Sequence, residues 1–71
     1  MKLPRDLPAW KVINALKRIG FWVEKQEGSH IRLFNGKVRV TVPNHPSLAP
    51  GTLKSILRQA GITLEELLAA I

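Results

Sequence analysis

The segment HIRLFNGKVRVTV, residues 30–42, decides the fold of this 71-residue chain. Two runs of alternating apolar and polar residues flank the pair Asn35-Gly36, which favours a type I′ turn because both of its central positions need a positive φ. The segment therefore predicts a β-hairpin with these two residues as its loop. The cross-strand pairs follow from that loop: Phe34 with Lys37, Leu33 with Val38, Arg32 with Arg39, Ile31 with Val40 and His30 with Thr41.

This register predicts one buried and one solvent-facing side of the hairpin. The buried side consists of Ile31, Leu33, Val38 and Val40. On the solvent side Arg32 lies opposite Arg39, and such a like-charged pair repels. An anionic ligand between the two arginines would remove the repulsion. The alternative is that both guanidinium groups extend into water, where exposed charges interact weakly.

A helix and a further strand precede the hairpin. Apolar residues at helical spacing predict an amphipathic helix over residues 8–19, with Pro8 in its first turn and Asp6 as a capping-competent residue before it. Gly20 ends the helical pattern. Alternation of apolar and polar residues then predicts a strand that leads to Gly28.

Two helices follow the hairpin. The connection 43–51 is rich in proline and has no periodicity, so we expect a loop. Pro50 opens an amphipathic helix that ends at Gly61, and Thr63 begins a capping-box pattern, TLEE, that predicts a short last helix. We expect a single α+β domain over residues 1–71, with a three-stranded antiparallel sheet and helices packed on one of its faces.

The composition favours a nucleic-acid partner. Eleven Lys and Arg against five Asp and Glu give a net charge of +6, and such a surface attracts polyanions. Residues 28–64 contain no acidic residue but hold both histidines. The central half of the chain is therefore purely cationic, as expected of a surface that contacts phosphates.

Several classes of protein and site are excluded. The chain has no cysteine, so thiolate nucleophiles and Cys-based zinc sites are excluded. Residues 1–8 lack the apolar run of a secretory signal, and the longest apolar stretch, residues 67–71, is too short to cross a membrane. We therefore expect a cytoplasmic protein without a membrane partner.

The remaining chemistry centres on a histidine. The chain contains no Gly-rich phosphate loop, no HExxH motif and no paired carboxylates of the glycosidase type. RNA cleavage through the 2′-hydroxyl needs only a proton-transfer group that works near neutrality and fixed cations for the charge on phosphate. His30, beside the basic residues of the hairpin and Thr41, meets that need without a metal ion or a small-molecule cofactor.

Short motifs in a fixed order add a family resemblance. The chain contains Gly-Phe at 20–21, Gly-Ser-His at 28–30, Val-Thr-Val-Pro at 40–43 with His45 after it, Pro-Gly-Thr-Leu at 50–53, and Ala-Gly at 60–61. This pattern, from about Val12 to Leu68, resembles the HicA family of toxin ribonucleases. The resemblance implies a compact α-β-β-β-α fold similar to double-stranded-RNA-binding domains, cleavage of mRNA, and neutralisation by a HicB-type antitoxin. The catalytic histidine of the family falls on His30.

The hypothesis assigns a role to each polar residue near the hairpin and on the second helix. Arg32, Lys37 and Arg39 hold phosphate, and Lys54 and Arg58 extend the RNA track. Ser29 serves as a positioning hydroxyl or as a residue that starts the strand, because no nucleophile motif surrounds it. The complete set expected to contact RNA is Ser29, Arg32, Lys37, Arg39, Thr41, Lys54 and Arg58.

Several alternatives stay open on the sequence alone. His45 is either a second proton-transfer group or a loop residue that stabilises the Pro-rich connection or touches phosphate, and we favour the loop role. Trp10 and Trp22 either stack on bases or belong to the core or an antitoxin contact. The rival functions are a non-catalytic RNA-binding module of the double-stranded-RNA-binding type and a purely structural partner subunit.

Overall fold

The computed structural model describes residues 6–71 and confirms the expected α+β architecture. In chain order the elements are α1 (Ala9–Ile19), β1 (Trp22–Glu27), β2 (His30–Phe34), β3 (Arg39–Pro43), α2 (Pro50–Ala60) and α3 (Leu64–Ala69). The prediction that residues 1–8 are not a secretory signal falls largely on residues 1–5, which lie outside the described residues. Within the described part of the chain, none of the helices has the length and apolar character needed to cross a membrane.

Helix α1 begins differently from the prediction. Pro8 is the N-cap residue with extended backbone angles, and no side chain caps the helix, so the expected capping role of Asp6 is wrong. The N–H of Ala9 instead donates to the backbone carbonyl of His45 at 3.0 Å. A loop carbonyl thereby satisfies one of the donors that every helix leaves free at its start.

The sheet has the order β1-β2-β3, and both pairs are antiparallel. Its inner face carries Ile31, Leu33, Val40 and Val42, which join the hydrophobic core with apolar residues of all three helices. The apolar stripe of α2 is buried as expected, and the capping box at Thr63 is present. Since the helices cover the inner face, the outer face of the sheet is left open.

The predicted register of the central hairpin is wrong by two residues. Arg32 lies opposite Thr41, and Phe34 lies opposite Arg39. The loop therefore consists of Gly36 and Lys37, and of these two only Gly36 has a positive φ, 95°. A positive φ at the first central position alone is the pattern of a type II′ turn.

The side chain of Asn35 explains the shift. Its Oδ1 atom accepts hydrogen bonds from the backbone N–H groups of Lys37 and Val38, each at 2.8 Å. Asn35 thus acts as the residue before the turn, where a short amide side chain can bind nearby backbone groups. Val38, expected in the core, is 39% exposed, and Val42 occupies the buried position instead.

Candidate functional site

A tight turn places His30 at the head of β2. Glu27 and His30 are the last paired residues of β1 and β2, so the turn consists of Gly28 and Ser29 alone. Gly28 has a φ of 59°, in the left-handed region that side chains other than glycine rarely adopt. The Gly-Ser-His motif is therefore a turn that presents an exposed histidine on the outer face of the sheet.

The loop after β3 closes on this turn. The N–H of Asn44 donates to the carbonyl of Ser29 at 2.6 Å, and the N–H of His45 donates to the carbonyl of Pro43 at 2.9 Å. His30 itself lies opposite Pro43, and not opposite Thr41 as predicted. The backbone on both sides of His30 is therefore fixed, while the imidazole is exposed.

Glu27 is a neighbour of His30 that the sequence interpretation missed. It lies directly opposite His30 in the β1–β2 pair, and its carboxylate forms an ion pair with Lys25 at 3.3 Å. Adjacent strands place such partners within reach of each other on one face. The signal was available, because a two-residue Gly28-Ser29 turn makes Glu27 and His30 opposite residues.

Arg32 and Thr41 occupy the middle of the outer face. Arg32 is exposed and lies opposite the half-buried Thr41. The backbone N–H of Thr41 donates to Oε1 of Gln59 on α2 at 3.0 Å, and Nε2 of Gln59 donates to Oγ of Ser55 at 3.1 Å. This side-chain pair on α2 covers part of the free edge of β3, a protection that unpaired strand edges need.

Arg39 forms an ion pair instead of opposing Arg32. Its Nε and Nη2 atoms donate to the two carboxylate oxygens of Glu24 at 2.9 and 3.3 Å, and its guanidinium lies 4.3 Å from the ring centroid of Phe34. The hydrogen bond to Glu24 raises the pKa of Arg39. The same hydrogen bond lowers the pKa of Glu24, with smaller effects from desolvation and from the charges of Arg39 and Arg32.

The predicted cationic cluster around His30 is therefore divided. Lys37 lies in the hairpin turn, and Arg39 lies opposite Phe34, four residues along β2 from His30. Four residues of strand span about 13 Å. Of the hairpin cations, Arg32 is the nearest to His30 on the same face of β2.

Two other expected site residues lie away from this face. Lys54 and Arg58 are exposed on α2, which packs on the inner side of the sheet. His45 lies in the loop, where its carbonyl accepts from Ala9 at the start of α1. Among residues 6–71 no group of three histidine or carboxylate side chains has a metal-binding arrangement.

The chain matches the model of a known protein family. Residues 10–62 match the family described as the HicA toxin of bacterial toxin–antitoxin systems. The match includes all of α1 except its first residue, the whole sheet and α2, and therefore the turn that carries His30. Among curated proteins, none matches the chain at the level required of a relative.

Proposed function

Since the chain belongs to the HicA family of bacterial toxin–antitoxin toxins, we propose that it is an endoribonuclease that cleaves mRNA without a metal ion. The observation that carries the proposal is the Gly28-Ser29 turn, which presents an exposed His30 on the open face of the sheet, with Arg32 two residues along the same strand. We further propose that the protein acts as one domain in the cytoplasm.

The proposed reaction is an internal transesterification. The imidazole of His30 accepts the proton of a ribose 2′-hydroxyl, whose oxygen attacks the adjacent phosphorus. The bond from phosphorus to the 5′ oxygen breaks, the departing oxygen receives a proton from water, and His30 returns the proton that it accepted to the solvent. The products are a 2′,3′-cyclic phosphate and a 5′-hydroxyl end.

Arg32 has the position to stabilise the charge that develops on the phosphate. It lies on the same face of β2 as His30, and a cation held near the reacting phosphate lowers the barrier electrostatically. Ser29 precedes His30 in the turn and Thr41 lies opposite Arg32, so both belong to the RNA-contacting surface in this proposal. The remaining expected cations bind phosphates farther along the RNA strand and raise its affinity more than the rate of cleavage. They are Lys37, Arg39, Lys54 and Arg58.

A HicB-type antitoxin is the proposed protein partner. Membership of the family implies an antitoxin, and the open face with Arg32 and Lys37 attracts an acidic surface as well as RNA. Covering His30 would block access to the phosphodiester. The expected complex therefore leaves His30 inaccessible to RNA.

The decisive experiment compares two histidine variants. His30→Ala should lower the rate of RNA cleavage by about 10²- to 10⁴-fold, the usual contribution of a general base, whereas the matched control His45→Ala should retain most activity. An RNA with a 2′-deoxynucleotide at the cleaved position should resist cleavage, and EDTA should leave the rate unchanged.

The outcomes separate the rival functions. Full activity of His30→Ala, together with loss of activity in His45→Ala, would transfer the proton-transfer role to His45. Binding of RNA without cleavage by the wild-type protein would support the non-catalytic module. Binding that does not weaken as salt rises would argue against phosphate contacts altogether, since counterion release makes such affinity steeply salt-dependent.

A further inference from the structure

An aromatic pair lies on the open face of the sheet, at the end opposite to His30. Trp22 on β1 pairs with Phe34 on β2, and their rings meet edge to face with centroids 5.5 Å apart. The Arg39 guanidinium, held by Glu24, covers Phe34. Trp22 remains 50% exposed, so it is the ring of the pair that is more open to a ligand.

Neighbouring groups hold the exposed Trp22 ring in place on two sides. Phe34 contacts it on one side. On another side it lies beside the hairpin turn, where a Cβ atom added to Gly36 would meet Cη2 of Trp22 at 3.9 Å. An aromatic ring held in place before binding loses little conformational freedom when a ligand stacks on it.

The charges around Trp22 favour a nucleic acid as the occupant. Lys37 lies in the adjacent turn, and Arg32 lies between Phe34 and His30 on the outer face of β2. The two acidic residues of β1 are already engaged, since Glu24 binds Arg39 and Glu27 binds Lys25. An exposed aromatic ring flanked by cations is the arrangement that binds single-stranded nucleic acids.

We propose that Trp22 stacks on an unpaired RNA base at a fixed distance from the phosphate that reaches His30. The inference rests on the proposed ribonuclease function and assigns it a positioning residue. Trp22 and His30 lie on the same sheet face, four residue pairs apart, about 13 Å along a strand. Bases inside a duplex are unavailable for such stacking, so Trp22 selects RNA that is unpaired at this position.

Abasic substitution tests the proposal. A single-stranded RNA with one mapped cleavage site is made in versions that each lack one base near that site. With the wild-type protein, removal of one particular base should lower kcat/KM by about 5- to 150-fold, the usual effect of losing one stacked base. Trp22→Ala should show a similar loss on the intact RNA and no further loss when that base is removed.

Matched variants separate stacking from damage to the fold. Trp22→Phe keeps an aromatic face and should restore most of the lost activity. Trp10→Ala removes the other exposed tryptophan, which lies on α1 beside Lys11, and should behave as the wild-type protein. Circular dichroism and thermal unfolding should show that all three variants are folded.

Three outcomes would overturn the proposal while leaving ribonuclease activity intact. They are wild-type cleavage by Trp22→Ala, a base-removal effect that persists in Trp22→Ala, and an effect of Trp22→Ala confined to antitoxin affinity. If the wild-type protein cleaves no RNA, the ribonuclease proposal fails separately. Fluorescence in a Trp10→Phe background then decides the stacking: quenching of Trp22 by the single-stranded RNA supports it, and no quenching overturns it.

Discussion

The register of β2 against β3 decides which side chains lie near His30, and two valine truncations test it. Val42 lies in β3 and Val38 immediately precedes this strand, but Val38 is 39% exposed and Val42 is fully buried. In the alternative register, with Asn35-Gly36 as the loop, Val38 would be buried opposite Leu33. The two registers therefore make opposite predictions for Val38→Ala.

The expected losses follow from burial. Truncating a buried valine removes about 1.6 kcal/mol of transfer free energy at about 0.8 kcal/mol per methylene, and the cavity adds to this, so Val42→Ala should lower the free energy of unfolding by about 2–3 kcal/mol. At Val38, part of the side chain is already in water and solvent fills the space. Val38→Ala should therefore lower the free energy of unfolding by less than about 1 kcal/mol.

Urea unfolding followed by circular dichroism measures the difference. At an m value of about 1 kcal/mol/M, Val42→Ala should lower the midpoint by about 2–3 M and Val38→Ala by less than about 1 M. Both substitutions remove the same atoms, so the difference between their losses reports mainly how deeply each side chain is buried. Equal losses, or a larger loss for Val38→Ala, would refute the two-residue Gly36-Lys37 loop.

Three further predictions concern the helix ends and the ion pair on the sheet. Gly61→Ala should lower the free energy of unfolding by about 1–2 kcal/mol, because Gly61 has a φ of 70°. Gly51 lies in the first turn of α2 with open space around it, so Gly51→Ala should raise the free energy of unfolding by about 0.5 kcal/mol. Urea unfolding checks both values. Thr63→Ala removes the capping box and should lower the free energy of unfolding by about 1 kcal/mol, while Thr63→Ser should not. Binding to Arg39 lowers the pKa of Glu24. The ion pair therefore stabilises the fold above pH 4.5, and this stabilisation is lost as the pH falls through the lowered pKa. In thermal unfolding, the melting temperature of Glu24→Gln should fall less on acidification than that of the wild-type protein.

Local sequence signals predicted the elements of the fold well. Periodicity and the stop signals at Gly20 and Gly61 placed α1 and α2 within a residue of their ends, since apolar spacing and glycine conformations act locally. The faces of the hairpin were largely predicted as well, because a shift of two residues keeps every side chain on its face. Only the partners changed, and with them the burial of Val38.

The details of the site depend on interactions that periodicity does not encode. The amide of Asn35 binds two backbone N–H groups and so moves the loop by one residue, although Asn-Gly usually forms the loop itself. Glu24, which binds Arg39, lies at a break in the β1–β2 register between Val23 and Lys25. Neither feature has a sequence pattern strong enough to predict it, whereas the position of His30 follows directly from the Gly28-Ser29 turn.

These corrections change how the positive charge of the chain relates to catalysis. In the predicted register two unpaired arginines stood together beside the histidine, whereas in the structure Arg39 is engaged by Glu24 and lies about 13 Å along the strand from His30. In the proposed reaction, Arg32 is then the hairpin arginine that can act on the reacting phosphate. Substituting Arg32 should consequently lower kcat. Substituting Arg39 should act mainly on KM, because its guanidinium contacts the Phe34 ring and helps to hold that ring in place. Under the proposed function, the excess charge is thus divided between the reaction at one end of the sheet and the placement of RNA at the other.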